Sequence, residues 1–301
     1  MFRLAHLSDP HLPSPAGMGP LREWASKRTL SRLSWRRKHY EHDPAVLAAL
    51  TADIAAHSPD HIALTGDLTN FSTPVEYAAA VTWLQTLGPA RDVTVSPGNH
   101  DALVADGQAE RFAMLRPWFG DDERTEFPHV RRRGTVGIVN LCSAIPTPPL
   151  FAGGRLGEVQ IAALGEALDQ LRREGLFRVV MLHHPALDGV VSKRKSLEDA
   201  GALRAALARH GAELVLHGHG HEAVFGAAQG PDGPIPVLGV PSASSPGGGR
   251  HPPARWHAIE IDGAKGAFSV TVIARGLDPA TGVIGELGRY ALPGLTSGIA
   301  A

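Results

Sequence analysis

The sequence contains little cysteine, almost no excess of either charge, and no long hydrophobic run. Its single cysteine, Cys142, cannot form an internal disulfide, which excludes a disulfide-stabilised extracellular scaffold. Lysine and arginine number 29 against 30 aspartates and glutamates, and this near-neutral balance disfavours a protein that binds long nucleic acids. No apolar segment has the length of a membrane span, and none of signal-peptide type precedes Asp9. We therefore expect a cytoplasmic protein.

What the sequence does contain is an alternation of short apolar segments and helical patterns. Strands are predicted at residues 2–7, 61–64, 92–95, 177–182 and 212–216, and helices at 44–57, 74–87, 158–173 and 197–210. Three further strands are predicted at 235–240, 256–261 and 268–274. The alternation predicts an α/β fold with βαβ units, and the closing strands predict a further sheet. We expect one domain over residues 1–301, with a β-rich closing segment at about 235–301.

Aspartate, asparagine and histidine residues follow the predicted strands in five blocks. The blocks are Asp9-x-His11, Asp67, Gly98-Asn99-His100-Asp101, His183-His184 and Gly218-His219-Gly220-His221. In open α/β sheets the binding crevice lies outside the carboxyl ends of the strands, so we expect these side chains to converge there. These donors suit divalent manganese, iron and zinc. If the backbone is extended, the two side chains of Asp9-x-His11 point to the same side, and so do those of His219-x-His221. Seven ligands with one shared carboxylate would hold two metals about 3.5–4 Å apart.

In this order, the five blocks resemble the signature of the calcineurin-like metallophosphoesterase superfamily. That signature is Asp-x-His, Gly-Asp, Gly-Asn-His-Asp/Glu, a separate His, and Gly-His-x-His, and the matching residues run from Asp9 to His221. The resemblance implies a four-layer α-β-β-α sandwich of two packed mixed sheets flanked by helices, with the site at the carboxyl ends of the strands. His183-His184-Pro185 and the segment from Pro241 to Ser245 look most like bacterial class III cyclic-nucleotide and glycerophosphodiester phosphodiesterases.

The resemblance also implies a role for each site residue. Asp9, His11 and His221 would hold one divalent metal, Asn99, His183 and His219 would hold a second, and Asp67 would bridge the two. His100 would donate a proton to the leaving oxygen or stabilise the phosphoryl oxygens, and Asp101 would orient His100 from behind. A metal-bridging hydroxide would attack a phosphoric ester in line. Manganese and/or iron are the expected metals, with zinc or magnesium as alternatives.

Residues near these blocks need their own interpretation. His183 is the predicted ligand because it directly follows its strand, whereas His184 is expected to lie beside the site. Gly220 stands where the family often has threonine, and we expect only local loosening there. The remaining residues are interpreted as structural: His217 as a bystander; His39, His42, His57, His61 and His210 as surface or helix-end residues; Arg131 to Arg133 as a hairpin edge; and Cys142 as a small core residue.

A basic and aromatic segment precedes the first predicted long helix and looks like an insertion at about residues 13–42. Between Arg22 and His42 it holds seven lysines and arginines, two tryptophans, two leucines and a tyrosine. Two interpretations remain open. The segment is either a solvated basic helix or loop, or a cap that attracts an anionic substrate or rests on an anionic membrane surface.

Three functions are compatible with these patterns. We favour a dinuclear phosphodiesterase that acts on small diesters of the cyclic nucleotide or glycerophosphodiester type. The first alternative is hydrolysis of a lipid-linked pyrophosphate or phospholipid at a membrane, recognised through the segment from Arg22 to His42. The second alternative is a non-catalytic metal-binding scaffold, which the complete set of ligand positions disfavours. Long nucleic acid is not an expected partner, and the sequence defines neither substrate-binding residues nor an oligomeric state.

Overall fold

The structure is a computed structural model, and it describes residues 1–14, 26–122, 124–264 and 267–292. The helices are α1 (Lys27–Lys38), α2 (Pro44–Ala56), α3 (Pro74–Leu87), α4 (Gln108–Leu115), α5 (Glu158–Arg173) and α6 (Ala200–His210). The strands are β1 (Phe2–Leu7), β2 (His61–Leu64), β3 (Val93–Val95), β4 (His129–Arg133), β5 (Val136–Asn140), β6 (Phe177–Met181), β7 (Leu214–His217), β8 (Val224–Gln229), β9 (Pro234–Gly239), β10 (Arg255–Ala264), β11 (Ala267–Asp278) and β12 (Val283–Ala291).

The strands form two mixed sheets of six strands each. The first has the order β12-β11-β10-β1-β2-β3, in which β1, β2 and β3 are parallel and the other three are antiparallel to their neighbours. The second has the order β4-β5-β6-β7-β9-β8, with antiparallel edge strands β4 and β8 around four parallel strands. The carboxyl ends of the parallel strands are the positions at which the sequence predicts the site.

Apolar side chains pack in three layers that hold the sheets and helices together. Leu4, Val179 and Ile259 belong to the layer between the two sheets. A second layer joins α2 and α3 to the other face of the first sheet, and a third joins α5 and α6 to the second sheet. Burying one leucine or isoleucine side chain contributes about 1.5–3 kcal/mol, so these layers supply most of the folding free energy. The predicted α/β sandwich with helices on both outer faces is confirmed.

Helix-capping residues explain why two of the predicted helices begin where they do. The Asp43 carboxylate accepts a hydrogen bond from the amide of Ala45, and Pro44 occupies the first turn of α2. At α3 the side chain of Thr73 and the side chain of Glu76 each accept from the other's backbone amide, which forms a capping box. Each cap contributes about 1 kcal/mol and directs the chain away from the sheet edge.

Several elements of the fold were not predicted from the sequence, and the closing strands take other places than predicted. Helix α4 and strands β4, β5, β8 and β12 were not predicted as such, although Arg131 to Arg133 do lie on β4 in an edge hairpin with β5. The closing strands do not form a further sheet, because β9 joins the second sheet and β10 to β12 join the first. His61 is buried rather than at the surface, and its Nε2 lies 2.8 Å from the hydroxyl of Thr94.

The predicted insertion is described only in part. Residues 15–25, which include Arg22, lie outside the described residues, and the part that follows forms α1. In the closing segment, residues 293–301 also lie outside the described residues. Among the helices in the described ranges, none combines the length and the apolar content that crossing a bilayer requires.

Candidate metal centre

The parallel strands of both sheets bring all the predicted site residues to one edge of the sandwich. From the first sheet, Asp9 and His11 follow β1, Asp67 follows β2, and Asn99, His100 and Asp101 follow β3. From the second sheet, His183 follows β6, and His219 and His221 follow β7. The residues are as much as 212 positions apart in sequence, from Asp9 to His221. Their convergence follows from the topology, because parallel strands all end at the same edge.

One group of side chains at this edge consists of Asp9, His11 and His221. Each offers a carboxylate oxygen or an imidazole nitrogen, and these three atoms lie within 4.8 Å of one another. The Nε2 of His221 is 3.2 Å from Oδ1 of Asp9. The other oxygen of Asp9, Oδ2, accepts a hydrogen bond from the backbone amide of His219 at 3.0 Å, which fixes the carboxylate.

A second group consists of Asp67, His183 and His219, with Asn99 beside them. The ligand atoms of the first three again lie within 4.8 Å of one another. The Nε2 of His183 is 3.2 Å from Nδ1 of His219, 3.2 Å from Oδ1 of Asn99 and 3.4 Å from Oδ2 of Asp67. That same Asp67 oxygen is 3.8 Å from Nε2 of His11. Asp67 therefore faces both groups.

Backbone conformation aims these side chains. Asp9, His11, Asp67, His219 and His221 have φ angles of 51°, 42°, 57°, 67° and 54°, in the left-handed region that non-glycine residues rarely adopt. Each such residue costs about 1–3 kcal/mol, and such residues cluster at functional sites. The expectation of an extended backbone was wrong. One consequence is that His219 and His221 do not act as a pair, because each belongs to a different group.

Burial and charge prepare the imidazoles for metal binding. Burial is the main cause that lowers the pKa of His11 and of His219 well below the ordinary value, so both rings are neutral and keep a lone pair. Burial also lowers the pKa of His183, but the carboxylates of Asp67 and Asp9 outweigh it and raise that pKa to about 9. A proton on Nε2 of His183 thus lies between the imidazole of His219 and the carboxylate of Asp67. A metal cation could take the place of that proton.

The side chains of both groups fit divalent metal ions. They are carboxylate, amide and imidazole donors without a thiolate, which is the donor set that manganese, iron and zinc accept. In the part of the chain that the structure describes, Nδ1 of His11 is buried without a hydrogen-bond partner. The nitrogens of His183 and His219 lie 3.2 Å apart. One metal ion between them could bind both nitrogens.

His184 does not join either group. Its Nδ1 lies 2.8 Å from the hydroxyl of Ser143 and its Nε2 lies 3.2 Å from the carbonyl oxygen of Ala152, so both ring nitrogens have other partners. His183, in contrast, presents Nε2 to Asp67 and Asn99 while its Nδ1 is 2.6 Å from the carbonyl oxygen of Thr65. The choice of His183 over His184 as the predicted ligand agrees with this geometry.

His100 stands beside both groups with one nitrogen committed to the backbone. Its Nδ1 donates to the carbonyl oxygen of Asn70 at 2.9 Å, which leaves Nε2 as the nitrogen that can carry a second proton. The ring packs edge-on against His11 with 4.9 Å between ring centroids. The backbone amide of His100 also donates to Oδ1 of Asp67 at 2.7 Å, so the position of His100 depends on that carboxylate.

The prediction that Asp101 orients the ring of His100 is wrong. The carboxylate of Asp101 accepts hydrogen bonds from the backbone amides of Asp67, Leu68, Thr69 and Gly98. It therefore ties the loop after β2 to the loop after β3. Burial and the nearby Asp67 raise the pKa of Asp101 to about 6. The orienting contact to His100 comes instead from Asn70, and a backbone carbonyl leaves no signal in a sequence.

His42 is a site residue that the sequence analysis took for a surface residue. Its ring centroid lies 4.2 Å from that of His11 and 5.7 Å from that of His221. Its Nδ1 lies 2.8 Å from the hydroxyl of Ser244, which comes from the loop after β9. Burial is the main cause that lowers the pKa of His42 to about 3. The only signal in the sequence was its position next to Asp43, the cap of α2.

A cavity of about 220 Å³ opens onto the two groups. Metal-group residues and His100 form its floor, and its walls come from α1, from the loop after β2 and from the turn Lys193–Lys195. Trp35 and Phe71 supply aromatic surface, with 5.9 Å between their ring centroids and nearly perpendicular planes.

The single cysteine, Cys142, is half-buried just beyond the end of β5, and its sulfur contacts the carbonyl of Ala144.

Two mixed sheets with paired carboxylate–imidazole groups at their carboxyl edge define a metal-dependent phosphoesterase. Residues 2–223 match the calcineurin-like phosphoesterase family, and the chain belongs to that family. A protein of Synechococcus sp. described as a probable cyclic nucleotide phosphodiesterase is 29% identical over 222 residues, which cover 71% of this chain and 77% of the relative.

Solved structures share the fold at low sequence identity. A dimetal phosphatase from Danio rerio is 13% identical with a TM-score of 0.52, and the match covers 98% of this chain and 99% of that one. A purple acid phosphatase from yellow lupin seeds is 11% identical with a TM-score of 0.60, and the match covers 96% of this chain and 53% of that one. At these identities the likeness establishes the two-sheet architecture and nothing finer.

Proposed function

We propose that the protein hydrolyses small phosphodiesters of the cyclic nucleotide or glycerophosphodiester type. The observation that carries the proposal is the position of Asp67, which faces both ligand groups and accepts the backbone amide of His100. His100 and the ligand groups line one cavity, which supports a role for His100 as proton donor beside two cations. The likeness to a probable cyclic nucleotide phosphodiesterase supports the same reaction.

The metals would be held as the two groups suggest. Asp9, His11 and His221 would hold one ion, Asn99, His183 and His219 the other, and Asp67 both. We propose manganese and/or iron as the native pair, with zinc or magnesium as the alternatives, because the donors are oxygen and imidazole nitrogen. Metal ions held by these residues would neutralise charge on the phosphoryl oxygens and lower the pKa of a bound water.

His100 supplies the proton that the leaving oxygen needs. With Nδ1–H donated to the Asn70 carbonyl, protonation places the second proton on Nε2, the remaining nitrogen. The Asn70 contact holds the ring so that this proton is presented in one direction. The transfer leaves the neutral ring, whose Nε2 lone pair accepts the next proton from water.

The aromatic wall of the cavity favours the cyclic nucleotide over the glycerophosphodiester. Trp35 of α1 and Phe71 of the loop after β2 line the same cavity as Asp67 and His100. A planar base stacks on such rings, and each stacked base contributes about 1–3 kcal/mol. A glycerol group offers no comparable surface.

The test is hydrolysis by protein stripped of metal and reloaded with one divalent metal at a time. We expect a chromogenic phosphodiester and 3′,5′-cyclic AMP to be cleaved after manganese or iron is restored, and a glycerophosphodiester to be cleaved less efficiently. A protein that binds two metals per chain and cleaves none of the three would refute the proposal. Activity on the corresponding monoester alone would assign the site to a phosphomonoesterase.

A second candidate function is hydrolysis of a lipid-linked pyrophosphate or phospholipid. The observation in its favour is the set of exposed apolar side chains near the mouth of the cavity, among them Leu33 and Phe151. The two candidates are separated by presenting a phospholipid in vesicles and a soluble diester to the same metal-loaded protein. Cleavage of the vesicle substrate alone would select the second candidate.

A further inference from the structure

Two segments at the mouth of the cavity expose large apolar side chains. Leu30 and Leu33 lie on α1 and are 49% and 53% exposed, and Leu150 and Phe151 lie in the loop before α5 and are 81% and 52% exposed. We call these four residues the rim. The same two segments line the cavity through Ser31, Trp35 and Ala152, so the rim borders the entrance to the metal centre.

The fold fixes the exposed face of α1. Arg28 is buried, and its guanidinium donates to the carbonyl oxygens of Phe71 at 2.9 Å and Ser72 at 2.7 Å. Arg28 thus anchors one side of the helix to the loop after β2. Leu30 and Leu33 are three residues apart and therefore share another face of the helix, which the anchor turns outward.

One side chain joins the two segments. Lys27, at the start of α1, donates from Nζ to the carbonyl oxygen of Phe151 at 2.8 Å and to the hydroxyl of Thr147 at 2.6 Å. Leu30 lies about one helical turn beyond Lys27. The rim residues therefore belong to two segments that are bonded to each other, unlike apolar residues scattered singly over a surface, which would need no explanation.

The backbone conformation at Leu150 is one that bulky apolar residues rarely adopt, so the fold itself gives no reason for a leucine there. Leu150 has a φ of 71°, the left-handed region where a bulky side chain is an outlier and where asparagine or glycine is preferred. Its side chain is nevertheless the most exposed of the rim. A turn that tolerates this strain and presents a leucine to solvent is typical of a surface that meets an apolar partner.

Exposed cations stand next to the rim. Lys193 and Arg194 are exposed in the turn Lys193–Lys195. The backbone amide of Ala152 donates to the carbonyl oxygen of Arg194 at 3.0 Å, so this turn lies directly beside Phe151. Apolar side chains bordered by lysine and arginine are the combination that inserts between acyl chains while the cations meet anionic headgroups.

We infer that the rim, with Lys193 and Arg194, is a docking surface for an anionic lipid bilayer. The occupant is a membrane rather than a protein because four exposed apolar side chains lie next to the exposed cations Lys193 and Arg194. Docked in this way, the cavity mouth faces the headgroup layer. The inference concerns where the enzyme works, and it stands whichever phosphodiester is cut.

The experiment is sedimentation of the full chain with vesicles of phosphatidylcholine alone or mixed with phosphatidylglycerol. We expect binding to the mixed vesicles, weakened by added salt. The double variant Leu150→Asn with Phe151→Ser removes apolar surface, and asparagine is compatible with the left-handed conformation at residue 150. We expect the partition coefficient of this variant into mixed vesicles to fall about tenfold or more. Arg194→Glu should reduce binding to the mixed vesicles only.

Matched controls make the result specific. Phe225→Asp changes an equally exposed aromatic residue on the edge strand β8, and Arg209→Glu reverses an exposed charge on α6. Both should bind vesicles like the unaltered protein. The inference is overturned if mixed vesicles do not bind, if the controls lose as much as the rim variants, or if the rim variants instead abolish self-association. Sedimentation measures vesicle binding without any enzymatic turnover. Hydrolysis of a soluble diester tests the proposed function separately.

Discussion

At the scale of single residues, Asp67 is the side chain on which both ligand groups depend. Its Oδ2 faces His183 at 3.4 Å and His11 at 3.8 Å, and its Oδ1 accepts the amide of His100. A carboxylate is suited to this position because the negative charge on Oδ2 would be shared by cations in both groups while Oδ1 stays bonded to the His100 amide. Asp67 thus has one oxygen near an imidazole of each group.

Replacing Asp67 should therefore empty the site. We expect Asp67→Ala to retain fewer than one metal per chain after gel filtration, where the unaltered protein retains about two. The measurement is metal analysis by atomic emission. Asp188→Ala, which removes an exposed carboxylate paired with Arg204, should leave the metal content unchanged. Retention of both metals by Asp67→Ala would contradict the bridging role.

Replacing His100 should separate chemistry from metal binding. Its backbone amide, not its side chain, contacts Asp67, so His100→Ala keeps that contact. We expect an unchanged metal content and a kcat lower by about 10²–10⁴-fold, the range for loss of a general acid. Metal loss equal to that of Asp67→Ala would show that the ring is a ligand instead.

The site residues that could be predicted from the sequence are those whose side chains carry the chemistry. Asp9, His183 and the others were recognisable because each follows a strand, and the family order fixed the set. The contact between His100 and the Asn70 carbonyl was not predictable, since every residue has a carbonyl. His42 was missed because its approach to His11 depends on how the chain folds back after α1.

At the scale of elements, the turn after β7 has to leave room for two side chains that follow β1. A Cβ on Gly218 would overlap the side chains of Ser8 and Asp9. The turn after β3 has the same requirement, because a Cβ on Gly98 would overlap the carboxylate of Asp67. Glycine at these two positions lets the carboxylates lie against the neighbouring strand end.

The two glycines of the turn after β7 should therefore respond differently to substitution. Gly218→Ala should displace Asp9, lose the metal of the first group and destabilise the protein by about 1–3 kcal/mol through overpacking. Gly220→Ala is the matched control, because its Cβ would be 3.6 Å from the nearest side-chain atom, on Val191. Metal content and urea unfolding measure both effects. Equal losses from the two substitutions would show that turn flexibility, not the overlap, matters.

Helices and strands were predicted correctly where local sequence signals are strong. They were missed where pairing with a neighbouring strand determines the structure. Helices α2 and α3, whose caps at Asp43 and Thr73 are local features, were predicted close to their observed bounds, and β1 was predicted as a short apolar segment. Strand β12 was missed because its sequence mixes apolar and charged residues with two glycines, Gly285 and Gly288, so its antiparallel pairing with β11 is not visible as a local pattern. For α1 the sequence left a helix or loop and a cap as open interpretations, because its anchor, Arg28, bonds to backbone carbonyls that no pattern reveals.

At the scale of the whole molecule, several histidines away from the site are buried in the sheets as neutral rings. Burial, followed by the cations of Arg131 and Arg133, lowers the pKa of His61 to about 3. Burial also lowers the pKa of His257 to about 3. The unfolded chain binds a proton on each ring near pH 6.5, whereas the folded chain does not. Acidification below that value therefore favours unfolding.

The pH dependence of stability should change when one such ring is removed. We expect His61→Gln, which can keep a hydrogen bond to Thr94, to lose less stability between about pH 6 and pH 4 than the unaltered protein. The difference should approach about 1.4 kcal/mol per pH unit. Urea unfolding of the metal-free proteins across this range provides the measurement. Parallel curves for the two proteins would mean that His61 is protonated in the fold.

The order of strands in the first sheet has a consequence for the growing chain. The second sheet is one continuous stretch from β4 to β9, whereas in the first sheet β1 pairs with β10, and Leu4 lies opposite Ile259. While the ribosome is still adding the residues of β10, β1 has an open apolar edge that any other strand can pair with. The interval before β10 is complete at Ala264 is therefore the one in which a nascent molecule most needs protection from its neighbours.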